Sequence, residues 1–426
     1  MAILIKNIKK LVQVEAENPN LRRGKEMSVL NCIDNAYLLI DWGKIADYGE
    51  MSELLYMADT GVTRLEELEK IVDNVIDATG KMVFPSFCDS HTHLVYAGSR
   101  EIEFMDKIRG LSYQEIARRG GGILNSAKLL HETSENELFR QAMTRVDEII
   151  RFGTGAVEIK SGYGLNPEDE IKMLRVIRRI SQESPLTVVP TFLGAHAFPE
   201  KYKNDHEGYV SEIINEMIPV VASEGLADYI DVFCENGFFS VEDTDRILNA
   251  GMKYGLRATV HANQMSESGG VEVGVKYNAI SVSHLEFTSD KQYKCLAESQ
   301  TIANLLPGAT FFLEMEYPSA RRMLDEYQVA VALATNYNPG SCPCGDMKFI
   351  TSLACLKMKM TPEEVFNAVT INGAYAMGLG ESHGSITRGK CANVFITKDI
   401  PSYEFIPYSF STPLIDTVIL QGEIYE

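Results

Sequence analysis

Met82-Val83-Phe84-Pro85-Ser86-Phe87-Cys88-Asp89-Ser90-His91-Thr92-His93 decides the fold. An apolar run that feeds into two imidazoles at i and i+2 reads as a buried strand, here over 82–91, and period-2 geometry at its end points both rings the same way. Two converging nitrogen donors are half a metal site. The other half has to come from later strand ends.

Working outward, continuous apolar segments alternate with capped helices, the pattern of a parallel sheet buried on both faces. Eight strands are expected, at 82–91, 154–159, 186–193, 229–234, 256–262, 279–285, 301–306 and 329–335. Eight is the number of a (β/α)8 TIM barrel. The helix starts agree with this register: Ser134-x-x-Glu137, Ser240-x-x-Asp243, Asn166-Pro167 and Thr361-Pro362-Glu363-Glu364 combine N-cap residues with Pro at the first position or an acid at the third.

The flanks have a different texture. Ala2-Ile3-Leu4-Ile5, Asn35 to Ile40 and Lys44 to Gly49 before the barrel, and Ala392 to Ile396 and Asp416 to Tyr425 after it, are short alternating strands. Residues 1–80 and 385–426 are therefore expected to form one small composite β-sandwich domain around a catalytic barrel of 81–384. A barrel takes about 250 residues, so 426 residues leave room for both.

Forty Lys and Arg against 59 Asp and Glu give a formal charge of −19, which argues against nucleic acid because phosphate binding needs a basic surface. No stretch approaches 18 apolar residues and no signal-like segment opens the chain, so a cytoplasmic protein with no membrane partner is expected. The eight cysteines form no CxxC pair and are expected to be reduced, with Cys342-Pro343-Cys344 an ordinary loop.

In a TIM barrel the chemistry sits at the C-terminal ends of the strands. Those ends carry His91 and His93, Lys160 to Gly164, Gly194-Ala195-His196, Cys234-Glu235-Asn236, His261 to Gln264, Ser283-His284, and Thr335 to Ser341. Five of the eight histidines fall there, whereas His131, His206 and His383 read as solvated. Nitrogen and oxygen donors without thiolates suit Zn²⁺ or non-haem iron.

Several stretches carry a resemblance. Phe87 to Leu94, Ser99-Arg100-Glu101-Ile102-Glu103-Phe104, Gly120 to Leu124, Glu158 to Leu165, Leu193 to Ala197 and Asn338-Pro339-Gly340-Ser341 are similar to strings of the amidohydrolase superfamily of metal-dependent barrel hydrolases. They resemble most closely its branch that opens the cyclic amide of 4-imidazolone-5-propanoate to N-formimidoyl-L-glutamate in histidine degradation. The resemblance implies a hydrolase whose metal-activated water attacks that amide, with His91, His93, His261 and Asn336 as metal ligands. It further implies that Arg100, Tyr163, His196, Gln264, Asn338, Gly340 and Ser341 bind a small substrate with a propionate tail, and that His284 works beside the water. One Zn²⁺ or Fe³⁺ per chain is implied, since Cys234-Glu235 stands where binuclear relatives place a bridging lysine. A homodimer is implied as well. Lys160, Glu158 and Glu235 read as structural.

Asn336 departs from the superfamily, which usually has an aspartate there. An amide offers a carbonyl oxygen to a metal but is no base at ordinary pH. Three accounts stand: an engineered substitution that traps a ligand, a variant leaning on His284, or a scaffold that binds without turnover. A ring deaminase and a silent metal-binding scaffold are the alternative functions.

Overall fold

The computed structural model describes residues 1–55, 62–111, 115 and 121–425. The first strands are β1 (Ile3–Val12), β2 (Cys32–Asp41), β3 (Lys44–Glu50), β4 (Asn74–Asp77) and β5 (Met82–Pro85). The barrel strands follow as β6 (Phe87–Thr92), β7 (Thr154–Lys160), β8 (Thr187–Ala195), β9 (Tyr229–Cys234), β10 (Arg257–Ala258), β11 (Val260–Ala262), β12 (Ser281–His284), β13 (Ile302–Leu305) and β14 (Val331–Leu333). The chain closes with β15 (Val394–Thr397), β16 (Ile415–Leu420) and β17 (Glu423–Tyr425).

Strands β6 to β14 form a parallel (β/α)8 barrel, with β10 and β11 sharing the fifth position on either side of Thr259. Its last and first staves meet at their C-terminal ends. Thr92 bridges Tyr337, the amide of Asn336 donates to the His91 carbonyl at 3.0 Å, and that of His93 donates to the Tyr337 carbonyl at 2.9 Å.

Each outer helix begins where a side chain satisfies its orphan amides. Ser134 accepts from the Glu137 amide to start Glu135–Arg151, Asn166 accepts from the Asp169 amide ahead of Pro167, and Ser240 and Asp243 cap each other. The helix Glu135–Arg151 then turns Leu138, Phe139, Ala142, Val146, Ile149 and Ile150 to the core. Each large aliphatic side chain buried this way is worth roughly 1.5–3 kcal/mol.

The run 82–91 is not one strand, as its unbroken apolarity suggests, but two. Met82–Pro85 pairs with β1 and β15 in the sheet built from the chain's flanks, whose order is β17-β16-β15-β5-β1-β2-β3 with β4 beside β1. Ser86 is the switch. Its amide donates to the Asn393 carbonyl of that sheet, while the next amide, of Phe87, donates to Gly153 at the foot of the barrel.

A candidate metal centre at the strand ends

His91, His93 and His261 each offer a ring nitrogen, the three lying within 4.8 Å of one another, and all three rings are buried. Strand β6 delivers the first and its continuation the second, with ring centroids 5.3 Å apart, while β11 brings the third from across the barrel. Burial and the neighbouring cations lower the pKa of His91 and His93 well below the usual imidazole value, and burial lowers that of His261 to about 4. All three are thus neutral, the form that binds metal.

Two of the three imidazoles have a support behind them. His91 Nδ1 meets Ser283 Oγ at 2.9 Å, and His261 Nδ1 donates to Asp231 Oδ2 at 3.1 Å. Asp231 also accepts the His261 backbone amide at 3.1 Å, and Lys160 Nζ reaches it at 2.7 Å while holding Glu158 at 2.6 Å. Burial works against Asp231's charge, but His261 and Lys160 keep its carboxyl far below the usual carboxylate range. An ionised partner at Nδ1 fixes the His261 tautomer and leaves Nε2 as a donor, the carboxylate–histidine arrangement of metal sites.

His91 Nε2 and Asn336 Oδ1 are buried and lack any hydrogen-bond partner. Buried polar atoms are nearly always satisfied, so these lone pairs mark a place for a cation. Three imidazoles and an amide oxygen suit Zn²⁺ or iron. Asn336 sits at φ 58°, a left-handed conformation that asparagine tolerates, and its amide is tied to the His91 carbonyl at 3.0 Å.

Above the imidazoles lies a cavity of about 300 Å³. Arg100, Tyr163, His196, Gln264, His284, Asn338, Gly340 and Ser341 all line it, with His93, His261 and Asn336. His196 Nδ1 donates to the Gly162 carbonyl at 2.9 Å, its ring stacks on His93 at 5.2 Å, and burial lowers its pKa to about 3. Its second nitrogen is therefore an acceptor. The Arg100 guanidinium lies 6.0 Å from the Tyr163 ring centroid and donates from Nε to Ser126 at 2.9 Å. Glycine at 340 makes room for it, since a Cβ there would lie 2.2 Å from Arg100 Nη1. Asn338 spends both ends of its amide within the loop: Oδ1 accepts from the Gly340 and Ser341 amides at 2.8 Å, and Nδ2 donates to the Asn336 carbonyl at 2.6 Å.

The structure departs from the sequence expectation at two places and brings three further residues to the site. His383 is buried rather than solvated, bonded to Thr187 at 3.0 Å and Ser382 at 2.8 Å, with a pKa lowered to about 4 by burial; His131 and His206 are exposed as expected. The single strand over 82–91 is the other. Among residues passed over as structural or unremarked, Lys160 lies beneath the site, Glu235 accepts the Met265 amide at 2.9 Å and the Ser266 hydroxyl next to Gln264, and Asp231 supports His261. A lone carboxylate inside the apolar run Tyr229-Ile230-Asp231-Val232-Phe233 was the available signal. All eight cysteines are free, and Gly120 lies outside the described residues.

A buried cluster of neutral imidazoles at the strand ends of a (β/α)8 barrel, opening on a cavity that the Arg100 guanidinium lines, defines a metal-dependent hydrolase of small molecules. The chain belongs to the amidohydrolase family, whose sequence pattern matches residues 82–425, and within it to the imidazolonepropionases. It is 52% identical over 425 residues to the imidazolonepropionase of Christiangramia forsetii, covering 100% of both chains. It is 51% identical over 424 residues to that of Flavobacterium johnsoniae, again covering 100% of both. The fold superimposes on E. coli guanine deaminase with a TM-score of 0.71 at 14% identity, over 100% of this chain and 99% of that one, a likeness of fold alone.

Proposed function

We propose that the chain hydrolyses the cyclic amide of 4-imidazolone-5-propanoate to N-formimidoyl-L-glutamate, with one Zn²⁺ or Fe³⁺ held by His91, His93, His261 and the Asn336 carbonyl oxygen. The observation that carries this reading is the pairing, across one cavity, of the imidazole cluster with the Arg100 guanidinium. A cyclic amide bearing an anionic tail needs both. When bound, the ion would polarise an amide carbonyl and lower the pKa of water towards about 7.

The chain's own groups do the rest. Arg100 receives the propionate as a planar, two-pronged donor, with Tyr163 flanking it. His196, its Nδ1 committed to Gly162, accepts from a ring N–H. Gln264 both donates to and accepts from the ring. His284 takes a proton from the attacking water and returns it to the leaving ring nitrogen, the work of a general base and acid. The water oxygen bonds to the carbonyl carbon, the C–N bond breaks, and a carboxylate and an amidine nitrogen result. Asn338, Gly340 and Ser341 shape the wall beside Arg100. The amide of Asn336 lends an oxygen but carries no proton away.

The test is an assay with 4-imidazolone-5-propanoate alongside elemental analysis. Loss of the ring with formation of the acyclic amidine and no immediate ammonia is expected, with about one Zn or Fe per chain. Ammonia released in step with ring loss would make the chain a ring deaminase. Undiminished turnover with less than about half an equivalent of metal would sink the metal-dependent reading.

A further inference from the structure

Glu286 is a buried acid that the reaction described above does not use. Its side chain is 1% exposed, that of His284 is 2% exposed, and Glu286 Oε2 faces His284 Nδ1 at 3.8 Å. At that distance the two are not hydrogen-bonded, and neither atom has a hydrogen-bond partner elsewhere. The other carboxylate oxygen, Oε1, accepts the Thr310 hydroxyl at 2.9 Å, and Thr310 is itself fully buried on the segment after the seventh strand position. A carboxylate taken out of water is costly unless paired, so an unpartnered oxygen aimed at an unpartnered ring nitrogen marks a purpose.

The backbone is bent to bring the two together. His284 and Leu285 adopt φ of 86° and 70°, left-handed values that non-glycine residues take only where the surroundings enforce them. The enforcement is visible: the Leu285 amide donates to the Ala262 carbonyl at 3.1 Å and the Phe287 amide to Asn263 at 2.9 Å. Both acceptors follow directly on His261. The turn that carries His284 and Glu286 is thus clamped to the strand end that delivers a metal ligand.

We propose that Glu286 is a positioning residue that orients His284 for proton transfer, an inference that rests on the hydrolytic reading above. The carboxylate accepts Nδ1–H, which leaves the lone pair on Nε2, the nitrogen available to the cavity that His284 lines. As Nε2 takes a proton from the attacking water, the same carboxylate stabilises the imidazolium that forms. The proton then passes to the leaving ring nitrogen and the dyad returns to its starting state. With an amide at position 336, His284 depends on this support.

The test separates orientation from packing. Glu286→Gln keeps the volume and an acceptor for Thr310 but offers an N–H to His284 Nδ1, which forces the proton onto Nε2. Turnover is expected to fall at least about 10²-fold, the usual contribution of positioned proton transfer, with KM within about twofold and zinc content unchanged. A kcat within threefold of the parent would overturn the proposal. Nitrogen-15 NMR of the zinc-loaded, histidine-labelled parent gives a second readout, with the His284 signals identified by their loss in His284→Gln. An Nδ1–H tautomer in the parent is expected, and an Nε2–H tautomer there refutes the pairing even if Glu286→Gln does not fold. This measurement needs no substrate, so a parent with the Nδ1–H tautomer that leaves the imidazolone intact would overturn the assigned reaction while supporting the pair.

Discussion

The Nε2 atoms of His93 and His261 face each other at 3.4 Å with room for at most one proton between them. Burial disfavours a charge on either ring, so the surplus lone pairs call for a cation. A ligand that binds only the native state raises stability, by about 4 kcal/mol at a thousandfold excess over Kd. Stripping the protein with a chelator is therefore expected to lower Tm by several degrees, and Zn²⁺ to restore it. In His261→Ala the added ion should leave Tm unmoved; equal protection of that variant would place the ion elsewhere.

Asn336→Asp places a carboxylate where the present amide oxygen has no partner. A base beside the attacking water typically contributes about 10²–10⁴-fold, so kcat is expected to rise at least about tenfold. Equal steady-state rates in the two proteins would mean that His284 already carries the whole proton transfer.

Arg100→Ala removes the guanidinium from the cavity wall, and KM for propionate-bearing ligands is expected to rise at least about tenfold with kcat changed far less. Gly340→Ala is expected to move KM in the same direction, since its Cβ would lie 2.2 Å from Arg100 Nη1. An unaltered KM in Arg100→Ala would refute the carboxylate-anchor role.

His383 gives the stability a pH dependence of known sign. Burial lowers its pKa to about 4, so between that value and the ordinary 6.5 the unfolded chain holds a proton that the folded one does not. Stability from this group is present above pH 6.5 and is lost as pH falls towards 4, by up to about 3 kcal/mol. Denaturant melts of His383→Gln should show a shallower acid loss over that window. Parallel curves for parent and variant would contradict the assignment.

The strand ends were legible because their chemistry is local: five histidines stand where apolar runs stop, and Ser134, Asn166, Ser240 and Thr361 announce helices within three residues. What stayed hidden depends on partners distant in sequence. Nothing between Met82 and Thr92 says that hydrogen bonding changes sheets at Ser86, because the acceptors, Asn393 and Gly153, belong to other segments. His383, set among Ser382 and Gly384, looks solvated until Thr187 arrives from 196 residues away. Lys160 reads as a polar strand end, and only the arrival of Asp231 from β9 makes it part of the support for His261.

The change of sheet at Ser86 also sets an order of events in biosynthesis. Strand β5 lies between β1, which leaves the ribosome early, and β15, near the end of the chain. Contacts of such sequence separation form late, and domains emerge from the N-terminus onward. The rod that ends in His91 and His93 is fully flanked only after Val394–Thr397 has been made, so a nascent chain halted before that segment is expected to retain no zinc, and the released full-length chain to acquire it.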